Sequence, residues 1–411
     1  MRISSSQYFN LNVASMSDQQ STLASMYQQI SSGKRILTAS DDPLGAAQAV
    51  QLTMKSGALT QYAANQTTAL SSLQQEDSTL SSVSNVLQSV QTQIVHAGDG
   101  SLTDADRTSI ANAIEGLRGQ LFSLANTTDS SGNYIFSGLK GGTAAFTNNS
   151  SGVGATYSGD NGQRTVQISE GRTVPVGDTG ASIFQSVSPT ESTPVSAATG
   201  TNTGTGTISP VSMNDTSNAG NASKYTIAFT VSPTDGSTSY TVTSVPADST
   251  LPSNVAYSGS TDITLGGQKV TISGAPANND SFTVEPAAKG NNDIFTTLDN
   301  LVNALKQPTG TPGGSAALTN ALTTIGTQVK NTFNNVLSAQ TVVGGREQEV
   351  QSTQSSMQTS QTQTASDLAN LTSVDLVSSI SSYELTQSSL QAAQMAFSQI
   401  QKMSLFDYIG S

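Results

Sequence analysis

The residues best typed for catalysis are two adjacent acids, Asp41 and Asp42, and a single histidine, His96. Paired carboxylates can share general acid and base work only if both face one reacting atom, and neighbours on a helix point apart. No second acid, histidine or metal-ligand set accompanies them. The pair reads instead as a helix start, with Asp42 as N-cap and Pro43 at the first helical position. Lys34 and Arg35 lie close enough in sequence to balance the acids. His96 falls near a helix end before Gly98, where a cation suits the helix dipole. The chain has no cysteine, which excludes disulfides, thiolate nucleophiles, Fe–S clusters and Cys-ligated zinc. One histidine is too few for multi-His metal sites or HExxH proteases, and it leaves none to spare for a Ser-His-Asp triad. GGR (344–346) and GDNG (159–162) are Gly-rich but lack the lysine and hydroxyl of a phosphate loop, so both read as bends or turns. The sequence therefore predicts no enzyme, no cofactor and no metal.

Those residues sit in an unusual background. The 411 residues carry 16 Lys and Arg against 28 Asp and Glu, a net charge of −12. Nucleic acid and anionic membrane both call for a basic surface, so neither is an expected partner. Charged residues make up 11% of the chain, against roughly 25% in ordinary domains. Ser, Thr, Gln and Asn take their place. The start, MRISSSQYFNLNV, has no apolar signal-peptide core, and no stretch approaches about 20 consecutive apolar residues. Taken alone that points to the cytoplasm, and it also fits export that reads no cleaved signal.

The elements that must position these residues are helical at both ends and β in the middle. From Phe9, the positions Phe9, Val13, Met16, Gln20, Leu23, Tyr27 and Ile30 repeat at 4-3 spacing, a heptad seam. Gly33 ends that helix. A second helix runs to about His96 on the seam Leu59, Tyr62, Gln66, Ala69, Leu73, Glu76, Leu80, Val83, Leu87, Val90 and Ile94. Thr103 with Asp106 forms a capping-box pattern ahead of a third helix. Alternating, Gly-bounded runs at 133–138, 154–159, 164–169 and 173–177 predict hairpins. Residues 186–223 read as a Ser/Thr-rich linker with loops. Five runs between 224 and 286 predict a small antiparallel sandwich or barrel, with Gly266-Gly267 as a hairpin turn. Helices return from Asp293, and a 4-3 seam runs from Leu318 through Val350. Gly344-Gly345 interrupts its propensity but not its phase, leaving room for a bend. The last seam is Leu376, Ile380, Tyr383, Leu390 and Phe397, with Gln387 and Gln394 at two of its slots and Ile400 beyond.

This layout is α+β and multidomain. Long N- and C-terminal helices pair in a coiled-coil bundle, β-hairpins accompany a second helical bundle, and an all-β domain is inserted. The expected division is 1–42 with 366–411, 43–185 with 290–365, and 186–289. Residues 1–30 carry only Arg2 and Asp18 as charges, which suits a buried helix better than a monomer's surface.

Three stretches carry a resemblance. SSGKRILTASDDPLGAAQA (31–49), LRGQLFSLANTTDSSGNYIFSG (117–138) and SSYELTQSSLQAAQMAFSQIQKMSLFDYI (381–409) resemble the flagellin-like axial proteins of bacterial flagella. Pro43 after the paired aspartates is closer to that family's hook-associated members than to its flagellins. AYSGSTDITLGGQKVTISGAPANNDSFTVEP (256–286) is similar to a β module inserted in some of them. The resemblance implies a flagellin-like fold and a structural subunit at the hook–filament junction, exported unfolded through the flagellar type III channel. The implied partners are further copies of the chain in a ring, the first hook-associated protein, flagellin with the filament cap protein, and a cytosolic export chaperone on the C-terminal helix. The implied assembly residues are Phe9, Val13, Met16, Leu23, Tyr27, Ile30, Ile380, Tyr383, Leu390, Phe397 and Ile400, with Asp41, Asp42 and Pro43 as a domain joint. The other readings are a flagellin, or a secreted β-rich adhesin or glycan-binding protein with helical flanks.

Overall fold

The computed structural model describes the backbone of residues 5–409 apart from 189, and side chains of residues 7–399 apart from 189. The chain forms two compact units. The first takes the chain up to Ala64 and again from Thr353, and the second is Asn65–Ser352.

Helices α1 (Ser5–Ser32), α2 (Pro43–Ala97) and α3 (Asp104–Ala125) open the chain. Gly33, at φ +68°, stops α1 in a left-handed conformation that a β-carbon would strain. The Thr103/Asp106 capping box forms in full, each side chain accepting from the other residue's backbone amide. The α2 seam is buried as its spacing predicts, from Leu59 to Ile94, except that Tyr62 is half-buried. It carries two polar side chains into the interior, Gln66 and Glu76. Helices α5 (Ile294–Leu305), α6 (Gly314–Thr372) and α7 (Leu376–Ile409) follow the β region. Asp293 caps α5, accepting from the amides of Phe295 and Thr296. Helix α6 runs unbroken through Gly344-Gly345.

The second unit has its own core. Residues of α2 from Ala69 to Ala97 pack with Ile110, Ile114 and Leu121 of α3, Leu298 and Leu301 of α5, and Val329, Val336, Val343 and Val350 of α6. Two small ribbons, β1 (Phe146–Asn148) with β2 (Ala155–Tyr157) and β3 (Thr165–Ser169) with β4 (Arg172–Pro175), close over it with the short helix α4 (Gly180–Phe184). The run 133–138 is not a strand. It is a chain of turns with one isolated bridge, Thr128 to Tyr134, and it drives Phe136 fully into the core. Ile135, Phe136 and Ser137 are buried in succession, so the run is an inward turn and not an alternating strand.

The inserted region is an open two-sheet sandwich and not a barrel. One sheet has the order β10 (Val255–Tyr257), β9 (Thr238–Val245), β8 (Lys224–Val231), β13 (Ser281–Glu285), β5 (Val195–Ala198). The other is β11 (Ser260–Leu265), β12 (Gln268–Ser273) and β6 (Thr207–Ile208), with β7 (Ser212–Met213) also on β12. Tyr225, Ile227, Phe229, Val242 and Phe282 of the first share a core with Ile263, Leu265, Val270 and Ile272 of the second. Leu265 pairs with Gln268 across the two-residue Gly266-Gly267 turn, with Gly266 at φ +63°. The tract 186–223 is more than linker, because it supplies β5, β6 and β7. Side chains on α6 hold that edge. Asn320 donates to Gly206 O and accepts from Ile208 N, Thr324 donates to Ser196 O, and Asn331 brackets Thr193 through both its N–H and its C=O. Strands of two to four residues whose pairing is completed by a helix leave too short a pattern to read.

Candidate functional site

The terminal unit is short of core. Among the described residues, Leu59 and Leu390 are the only large apolar side chains it buries fully. Tyr8, Leu11, Val13 and Tyr27 of α1 are exposed, as are Val377, Ile380, Leu385 and Met395 of α7. So are Leu44, Val50 and Met54 in the part of α2 that belongs to this unit. Large exposed apolar patches are a feature of protein–protein contact surfaces.

Helices α1 and α7 pair antiparallel. The Phe9 ring lies 5.2 Å from that of Phe397, while at the other end the chain after α1 meets the chain before α7. The stripe that α1 withdraws from solvent is Asn12, Met16, Gln19, Leu23, Met26 and Ile30, all half-buried. The expected seam is thus met at Met16, Leu23 and Ile30. Val13 and Tyr27 turn outward at 43% and 63% exposure, and Gln19 replaces Gln20. On α7 the stripe is Ser379, Tyr383, Thr386, Leu390, Ala393 and Phe397. Gln387 and Gln394 face solvent, and their slots go to Thr386 and Ala393 one residue earlier. Two stripes one residue apart share the 4-3 spacing, and on α7 the shorter Thr386 and Ala393 spare Gln387 and Gln394 from desolvation. Ile380 is 44% exposed. Ile400 lies outside the residues whose side chains are described.

The joint beside this pair is built from backbone and four charged side chains. Arg35 N donates to Thr372 O at 2.7 Å and Val374 N to Gly33 O at 3.1 Å, a one-rung antiparallel bridge at Lys34 and Ser373. Asp42 caps α2. Its Oδ1 accepts from Gly45 N at 2.8 Å, and that bond, with Arg35 in support, holds the carboxyl below its usual range. Asp41 folds the preceding turn, its Oδ2 accepting from Thr38 N at 2.7 Å and Leu37 N at 2.9 Å, which lowers its pKa likewise. Arg35 Nη2 spans Asp42 Oδ2 at 3.3 Å and Leu371 O, at the end of α6, at 3.0 Å. Asp375 caps α7 through the amides of Val377 and Ser378. The Asp42 N-cap follows from its proline neighbour. Arg35 balances Asp42 as its place in the sequence suggests, whereas its bond to Leu371 O and the Asp375 cap are parts that sequence reasoning passed over. Asp375 had a signal, an Asp directly before an apolar seam. The second partner of Arg35 had none, being a carbonyl more than 330 residues away.

His96 is exposed in the last turn of α2, and Asp160 of GDNG accepts from Gly162 N as an ordinary turn. Among the described residues no group of three or more His, Cys, Asp or Glu could hold a metal ion, and no helix is long and apolar enough to cross a membrane.

Residues 3–141 match the bacterial flagellin N-terminal helical region, and residues 197–286 match the D2-like domain of flagellar hook-associated protein 1. Flagellar hook-associated protein 3 of Escherichia coli is 30% identical over 407 residues, covering 99% of each chain. The Salmonella typhimurium protein of the same name is 40% identical over 187 residues, which is 46% of this chain but only 58% of that one. The solved structure of hook-associated protein 3 from Legionella pneumophila superposes with a TM-score of 0.70 at 27% identity, over 78% of this chain and 98% of that one. FlgL of Xanthomonas campestris gives a TM-score of 0.67 at 28% identity, over 76% and 98%. These relatives are structural proteins of the flagellum. A full-length relative and a shared fold, on helices whose apolar faces lie open, place the chain in the flagellar hook-associated protein 3 family.

Proposed function

We propose that the chain is a structural subunit of the flagellar hook–filament junction, works without catalysis, and assembles through its terminal unit. The observation that carries this reading is the mismatch within that unit, which among the described residues buries two large apolar side chains and exposes many. Neighbouring subunits would complete its core. The assembly residues are Phe9, Val13, Met16, Leu23, Tyr27, Ile30, Ile380, Tyr383, Leu390, Phe397 and Ile400. Outward residues such as Val13, Tyr27 and Ile380 would meet neighbours, and inward ones such as Leu390 would hold α1 on α7. The proposed partners are other copies of the chain in a ring, the first hook-associated protein on the hook side, flagellin and initially the cap protein on the filament side, and an export chaperone on the C-terminal helix. In assembly the chain would act in three parts, 1–42 with 366–411, 43–185 with 290–365, and 186–289.

A strain lacking the gene is the direct test. Hooks should remain, filaments should be lost, and flagellin should appear in the medium. Restoring the chain without residues 190–288 should restore filaments, whereas an adhesin or glycan-binding role would need that insert. Wild-type filaments in the knockout would overturn the proposal.

Asp41, Asp42 and Pro43 form the proposed joint. Asp42→Ala removes both the acceptor for Gly45 N and the partner of Arg35. Faster amide exchange at residues 44–46 and earlier filament loss under shear are expected, with the main thermal transition unmoved because the second unit has its own core. Unchanged shear resistance would make the acid pair a solvated turn only.

A further inference from the structure

The second unit contains a buried carboxylate that neither the core nor assembly explains. Glu76, on the α2 seam, is 2% exposed. Its Oε1 accepts from Asp178 N at 2.8 Å, and its Oε2 is buried with no hydrogen-bond partner. The segment carrying Asp178 runs from β4 into α4. The Asp178 carboxylate, also buried, accepts from Arg346 Nη2 at 3.0 Å and Gln163 Nε2 at 2.9 Å. Arg346 belongs to the GGR run of α6, and its Nη1 is likewise buried without a partner. Arg164, before β3, also faces the cluster and is shared with Asp129 at 3.8 Å. Glu347 follows Arg346 on α6, with Asp77 as its own acidic neighbour. Around Glu76 there are therefore one close carboxylate and two guanidiniums, each guanidinium already engaged by another acid.

We propose that Glu76, Asp178 and Arg346 form a proton-operated latch, which holds the segment from Val176 to α4 between α2 and α6 while Glu76 is protonated and loosens it once Glu76 ionises. An ionised Oε2 would be a buried charge with no donor, beside a second carboxylate. Protonated, Glu76 is a neutral acceptor for the Asp178 amide. Burial, and after it the Asp178 charge, raises the Glu76 pKa from 4.5 to about 7. In the opened segment Glu76 is solvated and ionises near its ordinary value. Between about 4.5 and 7 the closed form thus binds more protons than the open form. Closure is favoured at the acidic end of that window and weakens as pH rises through it. The latch stands on the second unit alone and is independent of the assembly reading.

Hydrogen exchange of the full chain, read over residues 174–186 and corrected for the intrinsic base-catalysed rate, tests this. Protection should fall at least tenfold between pH 5 and pH 8, and by a few hundredfold at most, the limit set by the pKa difference. Glu76→Gln should remove that dependence, and residues 224–231 should show none in either protein. Carbon-13 carboxyl titration of the wild type gives a second reading that needs no variant, one glutamate titrating near 7. Equal protection at both pH values, a pH dependence that persists in Glu76→Gln, or glutamates that all titrate below 5.5 would each overturn the latch.

Discussion

Leu390→Asp is expected to leave export intact and to abolish incorporation into the flagellum. Leu390 is the most deeply buried side chain on the described part of α7, at 9% exposure, and it lies mid-stripe between Tyr383 and Phe397. Few other contacts share its work, since the Phe9–Phe397 ring pair is the one aromatic contact in this unit among the described residues. A carboxylate there must be desolvated against α1, at a cost of several kcal/mol. The assembled wall would raise that cost by closing off the remaining water. The unfolded chain in an export channel makes no such demand. Secreted mutant protein with bare hooks is the expected result, and the main thermal transition should stay within a degree or two of wild type. Normal filaments would show that α7 does not use this face.

The contrast between the two units also explains how much of the structure the sequence disclosed. Long seams were legible because eleven positions at 4-3 spacing from Leu59 to Ile94 leave little choice of buried face. The terminal seams were legible as helices but not in phase. Tyr27 and Met26, or Gln387 and Thr386, differ by one residue and 100° of rotation, and weak burial gives the pattern little to discriminate. The β8, β9 and β11–β13 runs were legible through strict alternation. Strands β5 to β7 were not, because they are two to four residues long and Asn320, Thr324 and Asn331 complete the bonding around β5 and β6 from α6. The capping role of Asp42 could be read locally, whereas the reach of Arg35 to Leu371 O and of Arg346 to Asp178 could not. Glu76 stood in the predicted seam as an acid, and its meaning awaited the residues that surround it.

Phe295→Ala is expected to have the largest effect on stability of any single truncation considered. Phe295 is the second residue of α5, two positions after the Asp293 cap, and is fully buried. Its ring lies 5.2 Å from Phe146, 5.8 Å from Phe122 and 6.0 Å from Phe184, and Phe184 in turn meets Phe136 at 5.5 Å. These rings come from α3, the turn run at 133–138, β1, α4 and α5. Phe295 is therefore the point where segments distant in sequence close on one another. The Arg118 guanidinium lies over its ring at 5.7 Å while pairing with Asp299 at 2.7 Å, so the partly buried ion pair loses part of its support as well. Loss of the ring should cost about 3–5 kcal/mol, the range for a buried Phe whose cavity cannot collapse. Four elements meeting at one ring, with the 133–138 run behind Phe184, resist collapse from any side. The denaturant midpoint of the main transition should fall accordingly, with little change in its slope. A loss below about 1 kcal/mol would mean that the rings repack freely. Because no terminal side chain changes, any Phe295→Ala protein that folds should still enter the flagellum. Phe295→Ala and Leu390→Asp should thus separate stability of the body from assembly at the ends, each variant leaving the other property in place.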